Sequence, residues 1–212
     1  MQARVSPKRI TARNIDRLFP GERRRRGVSR KTLYLTLGSG RGARYFCLSL
    51  GLGTRNEQLA LGRRFSASAL KELGPPSEFR VNVHEIVGDS RKETGFIEPY
   101  HRRIDDSLRG TGLMDKAHDF LEGGYRKKHG RGYVLRDGAF HKSALQFLLR
   151  RGYAPRMGQI RWIFEQHGRT DLSNRIRDGW RPDSEELRRL LKGINMPESL
   201  GASEGVHFEK RL

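Results

Sequence analysis

The sequence has none of the features that mark a secreted, membrane-spanning or disulfide-bonded protein. A single cysteine, Cys47, excludes an intramolecular disulfide and any metal site that needs several thiolates. No stretch approaches the roughly 18 consecutive apolar residues of a transmembrane helix, and the basic first 30 residues contain no apolar signal core. We therefore expect a cytoplasmic protein with no membrane partner, in which Cys47 is a buried core thiol.

Acidic residues are scarce relative to basic ones. The 212 residues include 43 Lys and Arg against 24 Asp and Glu, which gives a formal net charge of +19. Arginine outnumbers lysine by 33 to 10, and coding bias in a GC-rich genome explains part of that ratio but not the net charge. Because a guanidinium pairs bidentately with phosphate and stacks on aromatic rings, the excess predicts a polyanionic partner, DNA or RNA.

The deficit of acids is greatest between residues 123 and 161, where ten Lys and Arg accompany one acid, Asp137. Interleaved tyrosines in this segment are candidates for stacking on unstacked bases. Residues 1–30 form a second basic group, with ten cations and two acids, which we interpret as an arm that lies along phosphates. The predicted nucleic-acid-binding residues are Arg23, Arg24, Arg25, Arg26, Arg41, Tyr125, Arg126, Lys127, Lys128, Arg131, Tyr133, Arg136, Lys142, Arg150, Arg151, Tyr153, Arg156 and Arg161.

The spacing of apolar residues changes along the chain. Residues 32–37 alternate and 79–87 alternate again, which predicts strands. Residues 43–50, which follow a glycine turn, are predicted as a further strand. From residue 101 the apolar positions recur at helical spacing. We predict an α+β fold, a small mainly antiparallel β-rich part followed by a helical part. Its divisions are a basic N-terminal arm at 1–30, a β-rich domain at 31–100, a helical basic domain at 101–195 and a loose C-terminal tail at 196–212.

Several helices are predicted in the second half, and two of them suggest a DNA-reading motif. The predicted helices are 101–122 in one or two pieces, 139–151, 155–167, 172–176 and 183–192. The pair 139–151 and 155–167 invites a helix-turn-helix interpretation, in which the second helix would present Arg156, Gln159, Arg161 or Gln166 to base edges. A generic α-hairpin that packs a core is the favoured alternative.

Two patterns in the first half suggest ligand-binding motifs. The glycine run 38–42 lacks the Lys-Ser or Lys-Thr ending of a phosphate-binding loop and leads into a strand, so we predict a hairpin turn and no cofactor. Leu33-Tyr34-Leu35, Leu59-Ala60-Leu61-Gly62 and a predicted helix at 67–73 resemble, in outline, the small arm-binding domains of phage-type integrases. The resemblance implies a three-stranded sheet laid in a DNA groove. No recombinase catalytic set follows, so it does not imply an integrase.

Acidic residues and histidines between 84 and 119 are the candidates for chemistry. A metal-dependent nuclease would need two or three of their carboxylates to converge on Mg²⁺, whereas a metal-free one would use histidine. Charged residues on exposed surfaces explain the same pattern more simply, and no metal site is predicted. The candidates are His84, Glu85, Asp89, Glu93, Glu98, His101, Asp105, Asp106, Asp115, His118 and Asp119.

Three functions remain open from the sequence. The leading hypothesis is a non-enzymatic nucleic-acid-binding protein, either a regulator or a subunit of a nucleoprotein complex. The second is a nuclease or other nucleic-acid-processing enzyme that uses the 84–119 segment. The third is a basic scaffold that binds an acidic protein partner.

Overall fold

The computed structural model describes residues 32–52, 79–87, 90–98, 101–129, 134–200 and 205–212. They belong to two compact units, the first within Met1–Glu98 and Arg102–Gly130, and the second within Pro99–His101 and Arg131–Leu212. The α+β class is confirmed, since a five-stranded antiparallel sheet precedes the helices and a small second sheet accompanies them. The predicted arm at 1–30, the strand at 57–61 and the helix at 67–73 lie outside the described residues.

The first unit contains a five-stranded sheet in the order β1-β2-β3-β4-β5. Its strands are Thr32–Leu37, Arg44–Leu52, Phe79–Val87, Ser90–Glu98 and His101–Ile104, numbered β1 to β5. The predicted strands at 32–37, 43–50 and 79–87 are confirmed. Alternation gives β3 one apolar face, with Val81 and Val83 buried, whereas Phe46, Cys47 and Leu48 of β2 are all fully buried. The turn between β1 and β2 is a hairpin turn as predicted, with a short 3-10 helix at Gly40–Gly42.

One helix, α1 (Leu113–His129), packs on this sheet. Its buried apolar residues recur every four positions, at Leu113, Ala117, Leu121 and Tyr125, and so form one stripe along the helix. The approach of helix and sheet is close, because a Cβ added to Gly124 would lie 2.9 Å from Leu50 Cδ1.

Two expectations about residues 101–129 were wrong. Residues 101–104 form strand β5 and Asp106–Leu108 a 3-10 turn, whereas a helix was expected there. Helix α1 continues through the glycine-rich segment to His129, because its apolar stripe gains more from the sheet than two glycines cost. The helix therefore belongs to the same compact unit as strands β1 to β4.

The second unit combines a three-stranded antiparallel sheet with four helices. The strands are β6 (Val134–Ala139), β7 (Ala154–Pro155) and β8 (Val206–Arg211), in the order β6-β8-β7. The helices are α2 (Lys142–Arg150), α3 (Met157–Gln166), α4 (Thr170–Arg177) and α5 (Ser184–Lys192). All four helices agree with the sequence to within a few residues.

Glycines end α2, α3 and α4 in the same way. Gly152, Gly168 and Gly179 have φ values of 74°, 71° and 101°, which is the left-handed region that glycine tolerates. After α3, for example, the N–H of Arg169 bonds to the carbonyl of Phe164 at 2.7 Å and that of Gly168 to Glu165 at 3.2 Å. This is the Schellman pattern, and it reverses the chain within a few residues.

The predicted loose tail at 196–212 was wrong for its last residues. Strand β8 lies between β6 and β7, and Val206 and Phe208 are fully buried. Their alternation with His207 and Glu209 is a strand pattern. The pairing partners lie 53 to 77 residues away along the chain, and no local signal indicates them.

Candidate nucleic-acid interface

The predicted binding residues do not all belong to one unit. Arg126 and Lys127 are exposed on α1 of the first unit, where Lys128 also lies, and Arg41 is exposed at the β1–β2 turn. The cations from Arg136 to Arg161 belong to the second unit. Arg23, Arg24, Arg25, Arg26, Arg131 and Tyr133 lie outside the described residues.

Two of the three stacking candidates require correction. Tyr153 is 0% exposed and Tyr125 only 3% exposed, so their rings are parts of the protein core and are not available to stack on bases. Tyr125 continues the apolar stripe of α1. Tyr153 follows Gly152, and its N–H bonds to the carbonyl of Leu148 at 3.1 Å in the turn that ends α2.

Several cations of the second unit lie where α2 ends and α3 begins, and Arg150 and Arg156 are the exposed ones among them. The guanidiniums of Arg150 and Arg151 lie over the ring of Phe147, at 5.3 and 5.8 Å from its centroid. Lys210 of β8 donates from Nζ to the carbonyl oxygen of Arg151 at 2.9 Å. We call Arg150, Arg151, Arg156, His207 and Lys210 the basic corner.

Strand pairing adds Arg156 and His207 to the basic corner. The N–H of Arg156 donates to the carbonyl oxygen of His207 at 2.9 Å, and the Arg156 side chain is exposed. Partial burial lowers the pKa of the His207 imidazole, and the positive charge of Arg156 lowers it further. His207 is therefore mainly neutral at pH 7 and senses the charge of Arg156.

The other predicted cations of this unit make contacts within the protein. Arg136 Nε lies 3.1 Å from Glu209 Oε1, and Arg161 Nε lies 3.5 Å from Glu165 Oε1. Lys142 donates from Nζ to the carbonyl oxygen of Ile194 at 3.1 Å. These three cations are therefore engaged with protein groups, and none of them is fully exposed.

The helix-turn-helix interpretation of α2 and α3, which the sequence suggested less strongly than an α-hairpin, does not fit the structure. Gln159 donates from Nε2 to the carbonyl of Gly205 at 2.9 Å and accepts the N–H of His207 at 2.8 Å, so its amide joins α3 to β8. In addition, α2 and α3 are separated by strand β7, whose Pro155 pairs with Phe208. The tight turn of a helix-turn-helix is therefore absent between these two helices.

Helix α3 begins with a positive side chain. Arg156 is its N-cap residue and makes no side-chain capping bond, and the first turn of α3 contains no acid. A helix N-terminus carries a partial positive charge, so a cation there is unfavourable by about 0.3–1 kcal/mol. A bound anion would reverse the sign of that interaction.

Two acidic candidates of the 84–119 segment, Glu85 and Asp105, make structural contacts within the first unit. Glu85 accepts two bonds from Arg44 at 2.6 and 2.7 Å, and these bonds lower the pKa of its carboxyl. Asp105 accepts from the N–H and the hydroxyl of Ser107 at 3.0 and 2.8 Å. Because Asp105 caps a 3-10 turn and Glu85 holds an arginine, neither is positioned as a metal ligand.

The possible metal-binding face of α1 is not formed. His118 is fully buried, with Nδ1 at 4.0 Å from Glu122 Oε1, whereas Asp119 is exposed beside Lys116. Over the described ranges, no group of three or more His, Cys, Asp or Glu could hold a metal ion. Asp89 lies outside those ranges.

Sequence reasoning did not identify two members of the basic corner, His207 and Lys210. Both belong to β8, whose position depends on long-range pairing, so no local pattern connects them to residues 150–156. The prediction that Cys47 is buried is confirmed, and burial raises the pKa of its thiol to about 11.

Comparison of the chain with protein-family models, curated proteins and solved structures finds no match. Within the described part of the chain, no helix is both long and apolar enough to cross a membrane.

Proposed function

We propose that the protein binds nucleic acid through the basic corner of its second unit. The observation that supports the proposal is a run of 27 residues, from Gly138 to Phe164, that contains five Lys and Arg and no acid. The fold places the exposed pair of this run, Arg150 and Arg156, at the ends of two consecutive helices and adds Lys210 from β8. Phosphates attract such a group of cations through charge and counterion release.

The position of Arg156 favours a phosphate group as the ligand over the carboxylate of an acidic protein partner. Its side chain stands at the start of α3, where backbone N–H groups of the first turn point outward and the helix dipole favours negative charge. A guanidinium can donate two parallel hydrogen bonds to two oxygens of one phosphate. Several phosphates along one strand can therefore bind several arginines. Location in the cytoplasm and membership of a nucleoprotein complex belong to the same proposal.

The test is a binding titration against duplex and single-stranded DNA and RNA at several salt concentrations. If Arg150 and Arg156 each neutralise one phosphate, the double variant R150Q/R156Q should reduce the slope of log K against log salt by about two units on duplex DNA. The matched control is R189Q/K192Q, which removes the same charge from exposed positions of α5 and should leave the slope close to that of the wild type.

Two results would contradict the proposal. Equal losses in the two double variants would show that only net charge matters and not the basic corner. A wild-type protein that binds none of the four nucleic acids at low salt would exclude the function itself. In both cases thermal unfolding should first show that the variants are folded.

A further inference from the structure

A tight turn between two consecutive helices connects α3 and α4. Helices α3 and α4 are separated only by residues 167–169, with Gly168 in the left-handed conformation at φ 71°. A DNA-binding helix-turn-helix joins its helices by a turn of three or four residues that often contains glycine. Residues 157–177 have this connection, whereas α2 and α3 do not.

The two helices pack together as one body. Ile160, Ile163 and Phe164 of α3 and Leu172 and Ile176 of α4 are all buried, and the two helices are in contact. The Ser173 hydroxyl donates to Glu165 Oε1 at 2.7 Å, which fixes α4 against α3. The relative position of the two helices is therefore set by packing as well as by the turn.

The face of α4 that looks away from α3 carries only polar side chains. Thr170, Asp171 and Arg175 are exposed and Asn174 is partly exposed, and these four recur at helical spacing on one side. Asn and Arg are the side chains that form bidentate bonds with adenine and guanine, and Asp and Thr also bond to base edges. A protein-binding face would be expected to contain apolar or aromatic anchors instead.

Arg175 is held in a fixed orientation. Its guanidinium lies over the ring of Trp180, 3.8 Å from the centroid, and the turn at Gly179 places the two residues together because the N–H of Trp180 bonds to the carbonyl of Arg175 at 2.9 Å. Stacking uses the flat face of the guanidinium. Its N–H groups lie in the plane of the guanidinium, so they can still donate to an acceptor at its edge. A fork held in this way loses little side-chain freedom on binding.

We propose that α3 and α4 form a helix-turn-helix in which α4 enters the major groove of duplex DNA and reads base edges with Asn174 and Arg175. The proposal rests on the proposed function and makes it more specific, since it names duplex DNA as the ligand and gives the protein sequence preference. Arg156 and the basic corner then lie at the N-terminal end of the first helix of the pair, the helix that crosses the sugar-phosphate backbone in such motifs.

The experiment is selection of bound sequences from a library of random duplex DNA by the wild-type full-length chain, followed by titrations of the selected and scrambled duplexes. We expect the wild type to enrich a short motif. N174A should lose preference for that motif at least fivefold while binding scrambled duplex with unchanged affinity and salt slope.

A charge-conserving substitution separates base reading from phosphate contact. R175K keeps the charge but removes the planar fork, so we expect at least a fivefold loss of preference for the selected motif. R189K on exposed α5 is the matched control and should behave as the wild type. Unfolding measurements on N174A and R175K should confirm that the second unit remains folded.

The outcomes separate this inference from the proposed function. Binding of duplex without any enriched motif, or preference for single strands, would overturn the inference and leave the proposed function standing. The inference would also be overturned if the wild type enriched a motif and both N174A and R175K preferred that motif as strongly as the wild type does. Absence of binding to every nucleic acid would overturn both.

Discussion

Helices α3 and α5 have similar lengths and belong to the same unit, but their N-termini have opposite chemistry. Helix α5 begins after Asp183, whose carboxylate accepts the N–H groups of Glu185 and Glu186 at 2.9 and 2.7 Å, and these two glutamates add negative charge to the first turn. Helix α3 begins after Arg156, with no side-chain capping bond and no acid in the first turn. The first arrangement stabilises its helix, and the second does not.

Of these two N-termini, only that of α5 carries the side chains expected from helix stability alone. A residue chosen only for folding at position 156 would be Ser, Thr, Asp or Asn, as at the start of α5. An exposed arginine there is explained if a phosphate occupies the first turn in the bound state, since the anion then interacts favourably with both the helix dipole and the guanidinium. The following predictions test this explanation.

The largest effect is expected from giving α3 the N-cap of α5. R156D should weaken binding to duplex DNA by more than tenfold in about 0.1 M salt, because one phosphate contact is lost and a repulsive charge is added. The same change should stabilise the free protein by about 0.5–1 kcal/mol, since aspartate caps the helix. Affinity from salt titrations and the free energy of unfolding in urea should thus move in opposite directions.

R156Q is the control for R156D. It removes the positive charge without supplying a good cap, so it should weaken binding less and change stability little. If R156D lowered both stability and affinity, Arg156 would be a structural residue. The contrast with the N-terminus of α5 would then give no support to a phosphate bound at the start of α3.

A smaller effect with the opposite pattern is expected at α5. D183A removes the cap of Glu185 and Glu186 and should lower the free energy of unfolding by about 1 kcal/mol. Binding to DNA and its salt slope should not change, because Asp183 belongs to a helix end without ligand-directed charge. D183N keeps most of the capping ability and should recover most of the lost stability. A change in salt slope in D183A would contradict the assignment.

The sequence predicted the parts of this comparison that depend on local pattern. The cap at Asp183 and the stop at Gly193 are signals within a few residues, and the apolar spacing of α2 and α3 is strongly helical. The excess of cations between 123 and 161 was also visible. What local pattern could not show was which cations share a surface, because Arg126 and Arg150 belong to different units.

Two errors have the same physical origin. Tyr153 has the composition of a stacking platform, yet long-range pairing of β8 and the turn at Gly152 place it in the core. The glycine pair at 123–124 has the composition of a break, yet the apolar stripe of α1 carries the helix through it, and Gly124 approaches Leu50 closely. In both places tertiary packing overrides local preference.

The smallest effect is expected at His207, which reports on the charge around Arg156. Burial and then Arg156 hold the pKa of this imidazole below its usual value of 6.5 in the free protein. Because the neutral form is favoured by folding, His207 contributes stability that is present above pH 6.5 and is lost as the pH falls through its lower folded pKa. A phosphate bound at Arg156 would offset the positive charge there, so binding of an oligonucleotide should raise the pKa of His207.

The shift can be followed by NMR titration of the imidazole protons, assigned with H207Q. R156Q should raise the pKa in the free protein and remove most of the response to DNA. No histidine lies beside Asp183 in the sequence, so this measurement reports on the N-terminus of α3 and not on that of α5. A complex that leaves the pKa of His207 unchanged would place the nucleic acid away from the N-terminus of α3.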